Sequence, residues 1–411
     1  MKVTEGQARR ALRSSEFEWS AEVEDPRREH NQRHEHHGLM SLLAGAFACG
    51  MACLRRVEDF SADLCSGTRR RLGLQGSVSD TTLHRLLGSQ SVAGLRESAW
   101  KKLRQLIASR VICNDLFHLG VVSYDGKSLW ASSSKTVKGA KLLHDKKHRV
   151  ITSTLMSERA VLTSSQVRPC LDAEVIGEGT GESPAFRKSF PRVLKEFGDQ
   201  FKIVTGDAGL TCSENARMVE SAGKHYLFTL GKNLHRLYAH AESVMRNAAV
   251  RVSVDERRDG DLIRRDLTTV AVAGDDELNF PGAQQIWMMR LQVVRNGEVV
   301  SDKVRYFLSS LPSRLLSPTQ QLALIRLHWG IENGHNWTMD VALKEDDRQP
   351  CQLTREAIEV VGWLRIIGYN LLAAWRSKLP LKDKKRVSWQ RCMELLRDAF
   401  VIGGEVSLAT P

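Results

Sequence analysis

Three acidic residues raise the chemical question. Asp125 follows the apolar run Leu119-Gly120-Val121-Val122-Ser123-Tyr124 and precedes Gly126-Lys127. Asp207 follows Ile203-Val204-Thr205-Gly206 and precedes Ala208-Gly209. Glu332 stands in a late helical stretch, His328-Trp329-Gly330-Ile331-Glu332-Asn333. In open α/β sheets, sites form beside strand ends, where neighbouring strands diverge. Two strand-terminal aspartates followed by small residues can aim carboxylates into one crevice. Taken singly, either aspartate reads better as the cap of its own turn. At about 100° per residue, Glu332 lies near Leu322, Ile325 and Trp329 on the helix surface. Those three should face the core, and a carboxylate on their stripe is costly to bury without a partner. His328 and His335 are the neighbours within reach. The alternative is a glutamate at the edge of the stripe that reaches water.

Carboxylates from two strands and one helix suit two divalent cations. Mg²⁺ takes oxygen ligands, keeps several waters and commonly sits between one or two carboxylates and a substrate phosphate. Two such ions about 4 Å apart can activate an attacking oxygen and stabilise a leaving one. The reaction class is then phosphodiester hydrolysis or transfer. Asp340, eight residues past Glu332, is an alternative third ligand. Asp346, in the charged run Lys344-Glu345-Asp346-Asp347-Arg348, is a weaker one. No G-x-x-x-x-G-K-[ST] loop is present, which argues against a nucleotide-fuelled motor. Gly177, Gly179 and Gly181 lack dinucleotide-binding spacing and read as a flexible loop.

The elements that position these residues follow from periodicity. Residues 39–110 read as helical throughout. Ser79 or Asp80 suits the N-cap of a helix carrying Leu83, Leu86 and Leu87. That helix could enter a DNA groove or pack ordinarily. From residue 119 the chain alternates a strand, a hairpin, a helix interrupted near Pro191, a strand, a helix and a strand, which indicates a mixed α/β fold. Residues 232–311 turn strand-rich and read as a β insertion. Ser317-Pro318 then opens the long helix that carries Glu332. A second helical stretch, from Arg355 to Trp375, closes the core.

Length and composition bound the rest. The chain has 411 residues, which suggests two or three domains, and 42% hydrophobic residues, enough for a real core. Its net charge of +12 favours a polyanionic partner, most often nucleic acid. Eight cysteines are scattered with no Cys-x-x-Cys pair, which indicates reduced thiols in the cytoplasm. Cys49 and Cys53 read as buried thiols on one helix face. His30, His34, His36 and His37 lie in a charged stretch that reads as a solvated tail or helix end rather than a metal site. The N-terminus lacks the apolar core of a signal peptide. The uncharged run from Leu39 to Leu54 is shorter than the roughly 18–20 residues a membrane span needs. A basic run, from Arg376 to Arg386, reads as a solvated face or a grip on phosphates.

These motifs resemble the DDE transposases of bacterial insertion sequences, in the branch that includes the H-repeat-associated proteins. The resemblance rests on Asp125-Gly126-Lys127, on Asp207-Ala208, and on His328-Trp329-Gly330-Ile331-Glu332-Asn333 followed by Trp337, Asp340-Val341 and Glu345-Asp346. It covers roughly residues 39–375. It implies an RNase H-like mixed-sheet catalytic core at 116–375 with the insertion at about 232–311. A helical N-terminal domain would occupy 39–115, between a polar tail at 1–38 and, beyond the core, a basic tail at 376–411. It also implies that Asp125, Asp207 and Glu332 form a triad for two Mg²⁺ ions, with Mn²⁺ as a substitute. The implied activity is cleavage of a DNA strand by water, then attack of the freed 3′-OH on a target phosphodiester. DNA would be held by Lys127, Lys135, Lys138, Lys146, Lys147 and Arg326, and at least two copies would act together at synapsis, with no membrane involved. The alternatives are a co-opted DNA-binding relative without activity and a nuclease without strand transfer. The chain departs from many relatives in carrying Met339 where a Lys or Arg follows the glutamate, His328 where an Arg precedes it, and Gly-Glu-Ser (181–183) where Lys-Ser-Asn-Glu is common.

Overall fold

A computed structural model describes residues 19–20, 23–28, 32–145, 149–345, 353–379 and 386–402. Helices come first: α1 (His36–Ala48), α2 (Leu54–Asp63), α3 (Ser66–Arg71), α4 (Asp80–Ser89) and α5 (Val92–Ala108). Ser79 caps α4 by accepting a hydrogen bond from the Thr82 amide, and Leu83, Leu86 and Leu87 are buried beneath it. The strands β1 (Val121–Ser132), β2 (Lys141–His144), β3 (Val150–Leu162) and β4 (Cys170–Val175) follow. Then come α6 (Glu182–Phe197), β5 (Ile203–Gly206), α7 (Ser213–Ser221), β6 (His225–Leu230) and α8 (His235–Met245). The strand-rich segment supplies β7 (Val252–Arg258), β8 (Asp261–Ala271), β9 (Gln285–Arg295) and β10 (Glu298–Ser309). The chain closes with α9 (Pro318–Gly330), two π-helical turns (Ile331–Asn336 and Thr338–Ala342), α10 (Arg355–Lys378) and α11 (Trp389–Ile402).

Ten strands among the described residues form one mixed sheet in the order β2-β3-β1-β5-β6-β10-β9-β8-β7, with β4 on β3. At its centre β1, β5 and β6 run parallel, and β3 returns antiparallel to β1. Parallel strands need both faces covered, and their residues are accordingly apolar on both sides: Val121, Val122, Ile203 and Val204 are all buried. The strand-rich segment is not a separate body. Its last strand pairs with β6 from Tyr306–Leu230 to Ser309–Leu227, so the sheet continues into it.

The N-terminal helices share the main core. Leu43, Phe47, Leu86 and Leu103 belong to the same apolar cluster as Val122, Phe186 and Leu372. Trp100 on α5 donates to the Leu171 carbonyl of β4, and Arg365 on α10 donates to the Ala52 carbonyl. α10 is long and apolar enough to cross a membrane, but 94% of its apolar window is buried inside the protein.

Several local expectations change. α6 runs through Pro191 without a break. Cys49 and Cys53 do not share a helix face, because α1 ends before Cys49 and Cys53 caps α2. All described cysteines are free thiols. His34 and His36 are not solvated: His34 accepts from the Gln75 amide and His36 bonds Gln90 at 2.8 Å, both buried. Within the segment expected as a basic tail, α11 packs Leu395, Leu396 and Phe400 into the core. Residues 380–385 of that segment lie outside the described residues.

Candidate active site

The strands deliver two of the three acids. β5 ends at Gly206, so Asp207 is the first residue past a parallel strand, as the sequence predicts. Its Oδ1 accepts from the Gly209 amide at 2.8 Å, which fixes the turn. Asp125 differs from expectation. β1 continues seven residues beyond it, so the aspartate sits in mid-strand, directly opposite Arg159 of β3. The strand continues because its next residues are useful inside: Lys127, Leu129 and Trp130 are all buried.

The helix delivers the third. α9 begins with a capping box in which Ser317 and Gln320 exchange hydrogen bonds, and Pro318 occupies its first turn. After Gly330 it widens into π-helical turns, a form concentrated at functional sites. The wider turn changes which side chains face inward. Glu332 is exposed at the rim, whereas His335 and Asn336 are buried. Asn336 Nδ2 donates to Asp125 Oδ2 at 2.8 Å and ties this turn to β1. The histidines are not partners of Glu332. His328 bonds Thr205 at 3.0 Å, within a buried hydroxyl chain that includes Ser123 and Thr163. Burial, with Arg305 nearby, pushes His328 down to about 4 and keeps it neutral. His335 packs edge-on against Tyr369 and is held well below its usual value by burial, Arg159 and Lys127.

Asp207 and Glu332 both lie near enough to Asp125 for their charges to act on it. Burial, together with the charges of Glu332 and Asp207, raises the Asp125 carboxyl to about 7. Two further carboxylates, which the sequence reading passed over, join them. Glu182 opens α6, and burial and the charges of Asp207 and Asp125 raise it to about 7. Glu158 lies on β3 with no exposure, is raised far above the usual carboxylate range by burial and by Glu182, Asp125 and Asp207, and neither of its oxygens has a hydrogen-bond partner. A signal for Glu158 exists in the sequence: an acid inside the otherwise apolar stretch of a strand. For Glu182 the signal is an acid where a glycine-rich loop meets a helix.

The predicted basic residues divide. Lys127 is buried and pairs with Asp340 and, at 3.4 Å, with Glu345, so it does not offer its ammonium to a phosphate. The same pair turns Asp340 toward Lys127 and away from a role as third ligand. Lys135 and Lys138 are exposed in the loop after β1. Arg326 is exposed on α9 and lies 3.4 Å from Glu256 of β7. Lys146, Lys147 and Asp346 lie outside the described residues.

The donor set is oxygen only, the type that Mg²⁺ and Mn²⁺ accept. Among the described residues no three His, Cys, Asp or Glu side chains form a ready cage for a metal. Magnesium commonly takes only one or two carboxylates from a protein and fills the rest of its shell with waters and substrate phosphate. Mutually repelling carboxylates and an orphaned buried glutamate fit a cation better than they fit a neutral ligand.

A mixed sheet with three parallel central strands, flanked by helices, is an RNase H-like core, and the charges of Asp207 and Glu332 both act on Asp125 beside its central strands. The family described as Transposase DDE domain matches residues 121–371, more than half of the chain, and the chain belongs to that family. Two curated Escherichia coli K12 proteins are similar to it. One, named "Putative protein YbfL", is 23% identical over 367 residues, covering 85% of this chain and 88% of the relative. The other, "H repeat-associated putative transposase YhhI", is 25% identical over 266 residues, covering 61% of this chain and 65% of the relative.

Proposed function

We propose that this transposase-family chain cuts DNA at the ends of its own element and joins the freed 3′-OH to target DNA, with Asp125, Asp207 and Glu332 as ligands for two divalent cations. One observation carries the reading most: Asp125 feels the charges of both Asp207 and Glu332, although 207 residues of chain separate it from Glu332. Like charges gathered at one rim are costly unless a cation joins them.

When bound, magnesium supplies positive charge for the negative charge that develops on a phosphate under attack. The chain's residues do the positioning. Asn336 holds one oxygen of Asp125, and the Gly209 amide holds one oxygen of Asp207. Glu332, at the exposed rim, would hold a cation on the side where DNA lies across the opening. Lys135, Lys138 and Arg326 contact the DNA backbone, and Lys146 and Lys147 extend that grip. Two copies work together at synapsis, in the cytoplasm on chromosomal DNA.

The test uses purified full-length protein, duplex DNA spanning the element's ends, and Mg²⁺. Strand nicking is expected from the wild type and not from Asp125→Asn, which should still retard the same DNA in a gel. Equal nicking by both proteins would overturn the triad. Joining of a pre-cut 3′-OH end to a plasmid separates strand transfer from simple nuclease action.

A further inference from the structure

We infer that Glu182, backed by Glu158, is a further carboxylate of the cation site, approaching it from the sheet face opposite to Glu332. This rests on the reading of Asp125, Asp207 and Glu332 as metal ligands and adds residues to it.

The argument starts from two glycines. Each aspartate of the triad is followed closely by one, Gly126 or Gly209. A Cβ on Gly126 would stand 2.1 Å from Glu182 Oε1, and a Cβ on Gly209 would stand 2.2 Å from Glu182 Oε2. A single carboxylate therefore spans both residues and occupies the space their side chains would take. Asp207 Oδ1 is also close, 3.1 Å from the same point beside Gly209. Without side chains at these two positions, Glu182 reaches both mid-β1 at Gly126 and the turn after β5 at Gly209.

Sheet geometry gives the direction of approach. Residues directly opposite in an antiparallel pair share a face, and successive residues alternate. Asp125 faces Arg159 across the ladder, and Gly126 faces Glu158. The π-helical turn lies on the Asp125 face, where Asn336 bonds it. α6 lies on the other face, where Phe186 meets Tyr124 edge-on at 4.7 Å. Glu158 therefore projects from the same face as the missing Gly126 side chain, the space into which Glu182 Oε1 reaches.

Glu158 is the independent observation. It has no exposure and both its oxygens lack a partner, while Glu345, equally buried, is met by Arg159 at 2.7 Å. A buried carboxylate without a partner is rare and costly. The groups whose charges bear on it, Glu182, Asp125 and Asp207, are themselves acids. A divalent cation beside Glu182 and Asp207 is the ligand whose charge answers this arrangement. The N-terminus of α6 adds a modest preference for negative charge at Glu182.

The experiment measures Mn²⁺ binding by full-length protein without DNA, reading free Mn²⁺ by electron paramagnetic resonance, with metal-free melting as a check on folding. Glu182→Gln should weaken Mn²⁺ binding by about tenfold or more, as loss of an additional metal-site contact does. Its metal-free melting temperature should stay the same or rise, because a like charge has been removed. Glu158→Gln should weaken binding to a smaller extent. Gly126→Ala, which puts a methyl where Glu182 Oε1 stands, should mimic Glu182→Gln. Asp125→Asn serves as the reference. If Asp125→Asn weakens binding and folded Glu182→Gln binds as the wild type does, the inference fails and the triad stands. If neither substitution alters binding, or the wild type binds no Mn²⁺, both readings fail.

Discussion

Adjacent residues on β3 belong to two opposite electrostatic worlds. Arg159 faces one side of the sheet and is fully buried, yet Glu345 answers its charge at 2.7 Å, and Lys127 with Asp340 completes the group. Burial pushes Glu345 up, but Arg159 and Lys127 outweigh it and hold the carboxyl below its usual range. Glu158 faces the other side, equally buried, and meets only acids among the charges that act on it. The first group is complete within the protein. The second, continuous with Asp125, Asp207 and Glu182, has no such counter-charge among the groups that act on it. The contrast teaches how to separate charges that hold a fold together from charges that await a ligand: the former are neutralised by the chain itself.

The sharpest way to break the comparison is to substitute one member of each group. Asp125→Asn should lower Mg²⁺-dependent nicking by about 10⁴-fold, or about 5 kcal/mol, and leave metal-free urea unfolding unchanged or shifted toward greater stability, because a buried like charge is removed. Glu345→Gln should do the reverse in kind. It leaves Arg159 and Lys127 buried without their carboxylate, and urea unfolding should report a loss of about 3–5 kcal/mol. If Glu345→Gln were neutral for stability and lethal for nicking, the division would be wrong.

pH offers a milder probe. Asp125 and Glu182 titrate near 7 in the folded chain, above ordinary values of 3.8 and 4.5. The folded state therefore binds more protons than the unfolded state between about pH 4 and 7, and stability falls as pH rises through that window. Metal-free melting should drop between pH 5 and 7.5, and Mg²⁺ or Mn²⁺ should recover it most at the upper end. A melting temperature unaffected by either ion across the range would contradict this. The smallest effect concerns the exposed lysines. Lys135→Ala or Lys138→Ala should each reduce the salt slope of DNA binding by about 0.9 per lost phosphate contact, without altering the metal response.

How much of this was readable beforehand depends on range. Asp207 at a strand end, Ser79 as a cap and the helical run before residue 110 are local patterns, and local propensities sufficed. The expectation that Asp125, Asp207 and Glu332 act together came from the motifs' resemblance to the family and belongs to the proposed function. Three matters were not readable. The course of β1 through Asp125 depends on Lys127 finding Asp340 and Glu345 more than 200 residues later. The π-helical widening after Gly330 defeats a regular helical projection, so the histidines beside Glu332 turn out to serve the core. Glu158 and Glu182 gain meaning only when the pairing of Gly126 with Glu158 and the approach of α6 are known, and no short window contains both.

The pairing of β10 with β6 has a mechanical consequence. A hydrogen-bonded ladder resists stretching across its strands far more than a tethered loop does. The strands from β10 outward to β7 therefore form a stiff outrigger bolted to the strand beside β5, and Arg326 of α9 lies 3.4 Å from Glu256 of β7. A load applied to that outrigger would reach β5, and the turn that carries Asp207, through backbone hydrogen bonds rather than through a flexible linker.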